Sequence, residues 1–327
     1  MITEQLLDVK DLHVSYKVYE GLLRVLNGVS LAVGAKEKVG IIGESGCGKT
    51  TTMKAIMRIL AANAIVGGGA IMWKGADVLQ FGRKELMKLH RTSMSMIFQD
   101  PTAALNPVFK IGEQLRDIVQ YSESTGNAPS KREVRARAVE LLTNAALPEP
   151  ERILDSYPFQ LSGGMRQRVC IAMALASARD LLIADEPGTS LDVTIEDQIM
   201  RLLKQIVEER GLSVILISHS IGAVKGFVTK LYVMYAGTMV EVAPTEELFS
   251  NPKHPYTQNL LKAAPKLTGG GIPQGIAGRI PSYLTPPAGC RFASRCQFAM
   301  KECNGRAPPF IDLGNGHLVS CFLYGGS

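Results

Sequence analysis

An α/β fold with a parallel sheet covered by helices is predicted by three features of this 327-residue sequence. From residue 179 onward, strand-like stretches alternate with helical ones, as in DLLIADEP, EDQIMRLLKQIVEER and LSVILISHS. The strand-like stretches are apolar throughout, which is typical of strands that helices bury on both faces. A glycine-rich turn at 43–50 joins a further apolar strand, KVGII, to a helix. Alternation of this kind favours a parallel sheet over an all-β or all-helical fold.

The other elements follow in order along the chain. The first forty residues alternate like strands, and TTMKAIMRILAANA (51–64) has a helical pattern. Residues 65–80 return to strand and turn character, and 83–178 are predicted to be mostly helical. A short amphipathic helix is expected within 251–267. The Gly/Pro-rich stretch 269–289 then separates a short tail.

Composition narrows the class of protein. The net charge is +6, but the basic residues are spread along the chain, so no nucleic-acid partner is predicted. No apolar run approaches the roughly 18 residues that span a bilayer, and MITEQLLDVK does not resemble a secretory signal. We therefore expect a cytoplasmic protein, in which cysteines bind metal more often than they form disulfides.

GESGCGKT (43–50) has the G-x-x-x-x-G-K-[ST] pattern of a phosphate-binding loop between a strand and a helix. Glycines allow backbone N–H groups to converge on phosphate oxygens at the helix N-terminus. Lys49 is expected to contact the β- and γ-phosphates, Thr50 to bind Mg²⁺ and Thr51 to add a hydrogen bond. The predicted nucleotide-binding residues here are Gly43, Ser45, Gly46, Cys47, Gly48, Lys49, Thr50 and Thr51.

A pair of carboxylates follows the apolar residues LLIA in DLLIADEP. Asp185, at the end of a buried strand, is suited to hold Mg²⁺ through water. Glu186 is suited to polarise a water molecule aimed at the γ-phosphate. Many buried strands end in an acid, so the phosphate loop earlier in the chain is what makes this pair informative.

Three weaker signals accompany these motifs. LSGGMRQR (161–168) stands at the head of a helix, with Ser162 as a candidate N-cap and with Gly163 and Gly164 leaving backbone amides uncovered. A plain helix start explains this stretch equally well. His219 in LISHS and Gln99 in IFQD each follow an apolar stretch, where a purely structural residue is the commoner outcome.

The ordered motifs GESGCGKT, IFQD, LSGGMRQR, LLIADEP, SLD and LISHS resemble those of ABC-transporter nucleotide-binding subunits over roughly 1–250. This resemblance implies a P-loop NTPase of ABC type: a RecA-like core, an antiparallel β subdomain and a helical subdomain at about 90–178. Residues 251–327 are then a small cysteine-rich C-terminal extension.

The resemblance also implies roles for single residues. Lys49, Thr50 and Asp185 belong to the phosphate–Mg²⁺ site, and Gln99 resembles the glutamine that touches the metal. Glu186 resembles the general base, and His219 the histidine that contacts the γ-phosphate. Ser162, Gly163 and Gly164 resemble the signature motif that completes the partner's ATP site, and Asp192 resembles an aspartate at the dimer interface.

Adenine is expected to stack on Tyr16, with Tyr19 as the alternative. Two departures from the family pattern are visible: Gly188 replaces a usual threonine and Ser220 a usual aspartate. Neither removes a catalytic group, so a competent ATPase is expected.

HPYT followed by LL and AAP, and then RIPSYLTPPAGCRFASRC, resembles the C-terminal region of oligopeptide/dipeptide importer ATPases. That resemblance implies a homologous but distinct ATPase partner in a heterodimer, two transmembrane permease subunits and an extracytoplasmic solute-binding protein. The subunit would lie at the cytoplasmic face of the membrane. The cargo stays open among peptides, nickel, glutathione and oligosaccharides. The rival hypothesis is a soluble ABC ATPase serving iron–sulfur assembly or DNA repair.

Four of the six cysteines, Cys290, Cys296, Cys303 and Cys321, are spaced C-x5-C-x6-C-x17-C. Four thiolates hold either tetrahedral Zn²⁺ or an iron–sulfur cluster, and the spacing lacks the close pairs of a zinc ribbon. The subfamily resemblance implies a [4Fe–4S] cluster, with Zn²⁺, free thiols or disulfides as alternatives. His317 is expected on the surface rather than beside the metal.

The remaining two cysteines have different expected settings. Cys47 lies at a helix N-terminus near Lys49, a setting expected to lower its thiol pKa. Bound ATP should then protect Cys47 from alkylation. Cys170, in RVCIAMALA, is expected to be a buried helix residue.

Overall fold

The structure is a computed structural model that describes residues 5–123, 129–189, 191–219, 221–263 and 275–325. The chain forms two compact units. The first unit comprises 1–34, 38–80 and 217–327, and the second comprises 35–37 and 81–216.

Strands and helices are numbered here in chain order. The strands are β1 (Gln5–Val18), β2 (Gly21–Gly34), β3 (Lys38–Ile42), β4 (Ala64–Trp73), β5 (Ala76–Asp77), β6 (Met94–Ile97), β7 (Leu181–Asp185), β8 (Ser213–Ile217), β9 (Lys230–Tyr235), β10 (Thr238–Pro244), β11 (Phe310–Asp312) and β12 (Leu318–Ser320). The helices are α1 (Lys49–Ile56), α2 (Arg83–Thr92), α3 (Pro101–Ala104), α4 (Ile111–Glu123), α5 (Lys131–Asn144), α6 (Pro150–Leu154), α7 (Gly163–Ser177), α8 (Val193–Arg210), α9 (Ile221–Lys225), α10 (Thr245–Ser250), α11 (Pro255–Lys262) and α12 (Glu302–Gly305).

One sheet of the first unit is antiparallel, in the order β2-β1-β4-β5. Apolar residues of β1 such as Leu7, Val9, Leu12 and Val14 are buried, while their polar neighbours are more exposed. The alternation is interrupted between Val9 and Leu12, where the register shifts and Asp11 has a φ of 46°. The prediction of strands over the first forty residues is confirmed.

The other sheet of the first unit contains the phosphate-loop strand. β3 pairs in parallel with β9, and four of the five β3 residues are fully buried. β10 continues the sheet antiparallel to β9, and the β11–β12 hairpin adds to β10. The C-terminal tail therefore extends a core sheet, which its sequence did not predict because its strands have only three residues each.

In the second unit β6 and β7 are parallel, with β8 beside β7. β7 and β8 are buried along their whole length, as the apolar stretches predicted. β6, however, lies inside the segment predicted to be mostly helical. MSMI is only four residues long, too short to reveal a period between two helices.

The helix after the phosphate loop is shorter than predicted. α1 ends at Ile56, whereas the pattern suggested continuation to residue 64. Arg58 adopts a left-handed backbone conformation (φ 51°), which a helix cannot accommodate. The helix therefore ends before Arg58, and β4 begins at Ala64.

The predicted amphipathic helix within 251–267 is present as α11. Pro255 is its first residue and the His254 side chain caps it by accepting a hydrogen bond from the Tyr256 N–H at 3.0 Å. The remainder of that prediction, and the first part of the Gly/Pro-rich stretch, falls on 264–274, which lie outside the described residues.

Candidate functional site

The phosphate loop joins β3, which ends at Ile42, to α1, which begins at Lys49. Gly43 and Gly48 have φ values of 157° and 111°, which side-chain-bearing residues rarely adopt. A Cβ atom on Gly43 would lie 2.1 Å from the Met234 carbonyl oxygen. The strand–loop–helix context predicted for this motif is confirmed, and a side chain at Gly43 or Gly48 would crowd neighbouring atoms.

Lys49 points back along the loop. Its ammonium donates hydrogen bonds to the carbonyl oxygens of Gly43 (2.7 Å) and Glu44 (3.1 Å), and only 5% of the residue is exposed. Thr50 and Thr51 are half-buried at the start of α1. The loop thus carries a cation and hydroxyl groups beside a helix N-terminus, which suits a phosphate ligand.

Cys47 contradicts one expectation. The residue is fully buried, and burial raises the pKa of its thiol, although the Lys49 ammonium 3.8 Å away acts in the opposite direction. The expected lowering of this pKa is therefore wrong, because the cost of burying a thiolate exceeds the attraction of one nearby cation. Cys170 is buried in α7, as predicted.

We expect Cys47 to react slowly with iodoacetamide in the native protein, both with and without Mg-ATP. A buried, protonated thiol is neither accessible nor nucleophilic. Mass-spectrometric mapping of labelled peptides measures this, with urea-unfolded protein as the fully reactive control. Labelling of native Cys47 at the unfolded rate would contradict the burial argument.

The two carboxylates predicted from DLLIADEP lie in the second unit. Asp185 ends β7 and is 2% exposed, while Glu186 follows it with a left-handed φ of 47°. The Glu186 Oε2 atom accepts hydrogen bonds from Gln99 Nε2 (2.9 Å) and from the Thr189 hydroxyl (3.0 Å). Successive side chains of a strand point to opposite faces of the sheet. Because the backbone leaves the strand conformation at Glu186, the carboxylates of Asp185 and Glu186 are not bound by this rule. Gln99 and Glu186, predicted separately from the sequence, lie together.

The LSGGMRQR stretch (161–168) contains the start of α7. The Ser162 hydroxyl caps this helix by accepting from the Met165 N–H (3.3 Å), which confirms the predicted N-cap. Asp192 caps α8 in the same way, through the Ile195 N–H at 2.9 Å. A Cβ on Gly164 would lie 2.9 Å from the Ile195 side chain, so the two helix starts pack closely.

The glycine at position 188, where the family usually has a threonine, has a local steric explanation. A Cβ atom at this position would lie 2.5 Å from Cγ and 3.2 Å from Cβ of Glu196. The usual threonine would fit here only if Glu196 moved. Ser220, the other departure from the family pattern, lies outside the described residues.

The other predicted site residues lie in the first unit. Tyr16 is half-buried near the end of β1, whereas Tyr19 is fully exposed in the turn that follows. His219 is exposed directly after β8. Ser45 and Gly46 are exposed within the phosphate loop.

The four C-terminal cysteines line one cavity together with His254 and Phe292. All are free thiols, so the disulfide alternative is not observed. Burial raises the pKa of Cys290 to about 11 and also raises the pKa values of Cys296 and Cys321.

Throughout the described part of the chain, however, no group of three or more His, Cys, Asp or Glu side chains is arranged to hold a metal ion. The expected [4Fe–4S] cluster is therefore not supported by the arrangement of these thiols. Four thiols around one cavity are a chemically suitable donor set, but their sulfur atoms would have to converge to become ligands.

His317 is buried, which corrects its expected surface position. Only 3% of its side chain is exposed, and Nε2 lies 2.8 Å from Oε1 of the fully buried Glu241. Glu241 also accepts hydrogen bonds from the backbone N–H groups of Lys253 (2.6 Å) and His254 (2.9 Å). This polar cluster joins β10, the start of α11 and the turn before β12, and no sequence pattern indicated it.

Comparison with known proteins identifies the family. Residues 26–189 match the ABC transporter family, and residues 240–303 match the C-terminal region of oligopeptide/dipeptide transporters. The chain belongs to the ATP-binding subunits of oligopeptide/dipeptide ABC transporters. It is 42% identical to the oligopeptide transport ATP-binding protein OppD of Haemophilus influenzae, with 97% of each chain covered. It is 41% identical to the dipeptide transport ATP-binding protein DppD of Bacillus subtilis, covering 98% of this chain and 95% of that protein.

A solved structure supports the ABC-type fold. The dimeric post-hydrolysis structure of the ATP-binding cassette MJ0796 bound to ADP and Pi has a TM-score of 0.65 and 29% identity, covering 73% of this chain and 98% of that one. The predicted ABC-type α/β fold is thereby confirmed. As an ABC ATPase, this subunit hydrolyses ATP, with Mg²⁺ as the expected metal. The rival soluble ATPase is not favoured, because the transporter-specific region matches as well. None of the helices among the described residues is both long and apolar enough to cross a membrane.

Proposed function

We propose that this subunit powers the uptake of peptides by an ABC importer at the cytoplasmic face of the cell membrane. It pairs with a homologous, distinct ATPase chain and drives two transmembrane permease subunits, to which an extracytoplasmic solute-binding protein delivers cargo. Support comes from the match to the oligopeptide/dipeptide transporter region and from the peptide-transport relatives. The proposed cassette is 1–250, with a helical subdomain at about 90–178, and 251–327 form the extension.

In the proposed chemistry, Glu186 accepts a proton from a water molecule that attacks the γ-phosphorus in line. The bond between that phosphorus and the β–γ bridging oxygen breaks, and ADP leaves with the electron pair. The observation that carries this role is the pair of hydrogen bonds from Gln99 and Thr189 to one oxygen of Glu186. They hold the carboxylate in place. Lys49 binds the β- and γ-phosphates and His219 contacts the γ-phosphate.

Mg²⁺ supplies charge neutralisation of the phosphate oxygens when it is bound with ATP. The residues fit this ion, since Asp185 is a buried carboxylate at a strand end and Thr50 carries a half-buried hydroxyl. Both are the hard oxygen donors that Mg²⁺ prefers. We assign Thr50, Asp185 and Gln99 to the metal, and Tyr16 to the adenine ring.

Ser162, Gly163 and Gly164 are proposed to complete the partner's ATP site, and Asp192 is proposed to lie at the dimer interface. Ser162, Gly163 and Asp192 are exposed, as a contact with a second chain requires. The helix starts that these residues form offer backbone N–H groups to a phosphate.

Purification from native cells in mild detergent tests the transport role. Recovery of two permease subunits and a second ATPase with the tagged chain supports it, and addition of peptide with the solute-binding protein should stimulate ATP hydrolysis. Recovery of soluble scaffold or repair proteins alone would refute it.

We further propose that Cys290, Cys296, Cys303 and Cys321 bind a metal centre, because all four line the same cavity. About four iron and four acid-labile sulfide per chain after anaerobic purification would identify a [4Fe–4S] cluster, and about one Zn²⁺ a zinc site. Metal binding would be refuted if the wild type contained no more iron and no more zinc than a Cys303→Ser variant.

A further inference from the structure

Three side chains of the C-terminal region contact the phosphate loop within the first unit. The Glu44 backbone N–H donates to the Tyr256 hydroxyl oxygen at 2.8 Å. The Tyr283 hydroxyl donates to the Gly46 carbonyl oxygen at 2.7 Å. Arg295 pairs with the Glu44 carboxylate. The loop is thus held at two of its positions by residues more than two hundred positions away.

The Arg295–Glu44 pair has a specific geometry. Nη1 and Nη2 of Arg295 contact Oε2 and Oε1 of Glu44 at 2.7 and 2.9 Å, a bidentate arrangement. The Arg295 side chain is only 4% exposed, and it also donates to the carbonyl oxygens of Ala277 (2.8 Å) and Ile276 (2.9 Å). The hydrogen bonds to Glu44 raise the pKa of Arg295 above its usual value, so the guanidinium stays charged. Arg295 is therefore a fixed cation beside the loop.

The two tyrosines are equally constrained. Tyr256 is fully buried, with its ring 4.6 Å from that of Tyr235 and 5.4 Å from that of Phe292. The backbone of Tyr283 accepts a hydrogen bond from the Arg24 N–H at 2.8 Å, which ties this residue to β2. Burial raises the pKa of both phenols, so both keep their protons near neutral pH. Each hydroxyl thus adds one contact between the C-terminal region and the loop.

Glu44 poses an electrostatic problem for a loop that binds ATP. Its carboxylate belongs to the second residue of the phosphate-binding motif, and the triphosphate carries several negative charges. Like charges repel, and they do so more strongly where water is partly excluded. Arg295 cancels the charge of Glu44 and at the same time restrains the backbone from which the loop amides project.

We propose that the C-terminal extension positions the phosphate loop for ATP, with Arg295 as the principal positioning residue and Tyr256 and Tyr283 as hydroxyl anchors. The proposal rests on the assignment of 43–50 as the ATP site. The affinity for ATP then depends on residues outside the cassette, and loss of Arg295 acts on nucleotide binding more than on the chemical step.

The first test is a double-mutant cycle in the full chain with Arg295→Gln, Glu44→Gln and the double variant. We expect Arg295→Gln to raise the Kd for Mg-ATP about 10-fold, since it exposes the loop to an uncompensated carboxylate. The kcat should change less than about 3-fold. Removal of the carboxylate as well should restore most of the affinity, and Arg295→Lys should restore part of it. Equal Kd values for wild type and a folded Arg295→Gln, or additive effects in the cycle, would overturn the proposal.

A second pair of variants covers the case in which Arg295→Gln fails to fold. Tyr283→Phe deletes one hydroxyl next to Gly46 and conserves the ring, and we expect a 3- to 5-fold higher Kd for Mg-ATP. Tyr324→Phe is the matched control, because its hydroxyl donates to the Lys253 carbonyl oxygen at 2.9 Å, away from the loop. An unchanged Kd in Tyr283→Phe, or equal changes in both variants, would count against positioning by the extension.

Lys49→Ala separates this inference from the assignment of the ATP site. Loss of ATP binding in Lys49→Ala with normal binding in the Arg295 and Tyr283 variants would leave the site intact and overturn the positioning role. Normal ATP binding in Lys49→Ala would instead remove the site on which the inference rests.

Discussion

Glu186→Gln is expected to lower ATP turnover by about 100-fold or more while ATP binding is retained. A neutral amide cannot accept the proton of the attacking water, and a general base contributes about 10²- to 10⁴-fold to such reactions. The amide oxygen can still accept from Gln99 and Thr189, so the local geometry should persist. Phosphate release at saturating Mg-ATP measures turnover, and calorimetry measures binding. Gel filtration with ATP should show that a dimer accumulates, because slow hydrolysis no longer leads to its dissociation.

Glu209→Gln is the matched control. Glu209 is exposed on α8 and also accepts a hydrogen bond from a glutamine, Gln205, at 2.8 Å. The same change of charge and shape should leave turnover unaltered there. Turnover of Glu186→Gln within 10-fold of wild type would remove Glu186 as the base.

His317→Ala is expected to lower the free energy of unfolding by about 3 kcal/mol. It removes the imidazole that lies 2.8 Å from the fully buried Glu241 carboxylate and leaves that carboxylate with only the backbone N–H groups of Lys253 and His254. Loss of one partner of a buried pair is among the costliest single changes. The β11–β12 hairpin should loosen first, since it joins the sheet through β10, the strand that carries Glu241. Urea unfolding followed by circular dichroism measures the change.

His13→Ala provides the comparison. His13 pairs with Asp11 at 3.2 Å, but both side chains are largely in solvent, at 39% and 77% exposed. Exposed pairs contribute at most about 1 kcal/mol. If the two alanine variants unfold at the same urea concentration, the buried cluster does not contribute as its geometry suggests.

The sequence was most informative where a site is local in the chain. The phosphate loop could be predicted because its glycines, Lys49 and the helix start fall within eight residues. The carboxylates were predictable because a buried strand ends in them. Gln99 and Glu186 were each identified by motif, but the hydrogen bond between them depends on the parallel pairing of β6 with β7, which no single motif encodes.

The sequence could not supply the burial of a polar or reactive side chain by distant parts of the chain. Cys47 was assigned a low pKa from its neighbours along the chain, whereas the burial that raises the pKa is set by the folded surroundings. The neighbours of His317 along the chain do not indicate its burial, because its partner Glu241 lies 76 positions earlier. The contacts of Arg295 and Tyr283 with the loop span 251 and 237 positions, respectively. Contacts between residues so far apart in the chain can be identified only from a three-dimensional structure.

The loop contacts of Tyr256, Tyr283 and Arg295 have a thermodynamic consequence in the opposite direction. Free-energy coupling between two sites is reciprocal, so a region that strengthens nucleotide binding must itself be stabilised by the nucleotide, by an equal amount. Backbone amides of the cysteine-bearing segment, such as that of Cys290, which donates to the Cys303 carbonyl oxygen at 2.7 Å, should then exchange with deuterium more slowly when ATP is bound. Each cycle of binding and hydrolysis would alternately tighten and relax a region of the chain outside the phosphate loop.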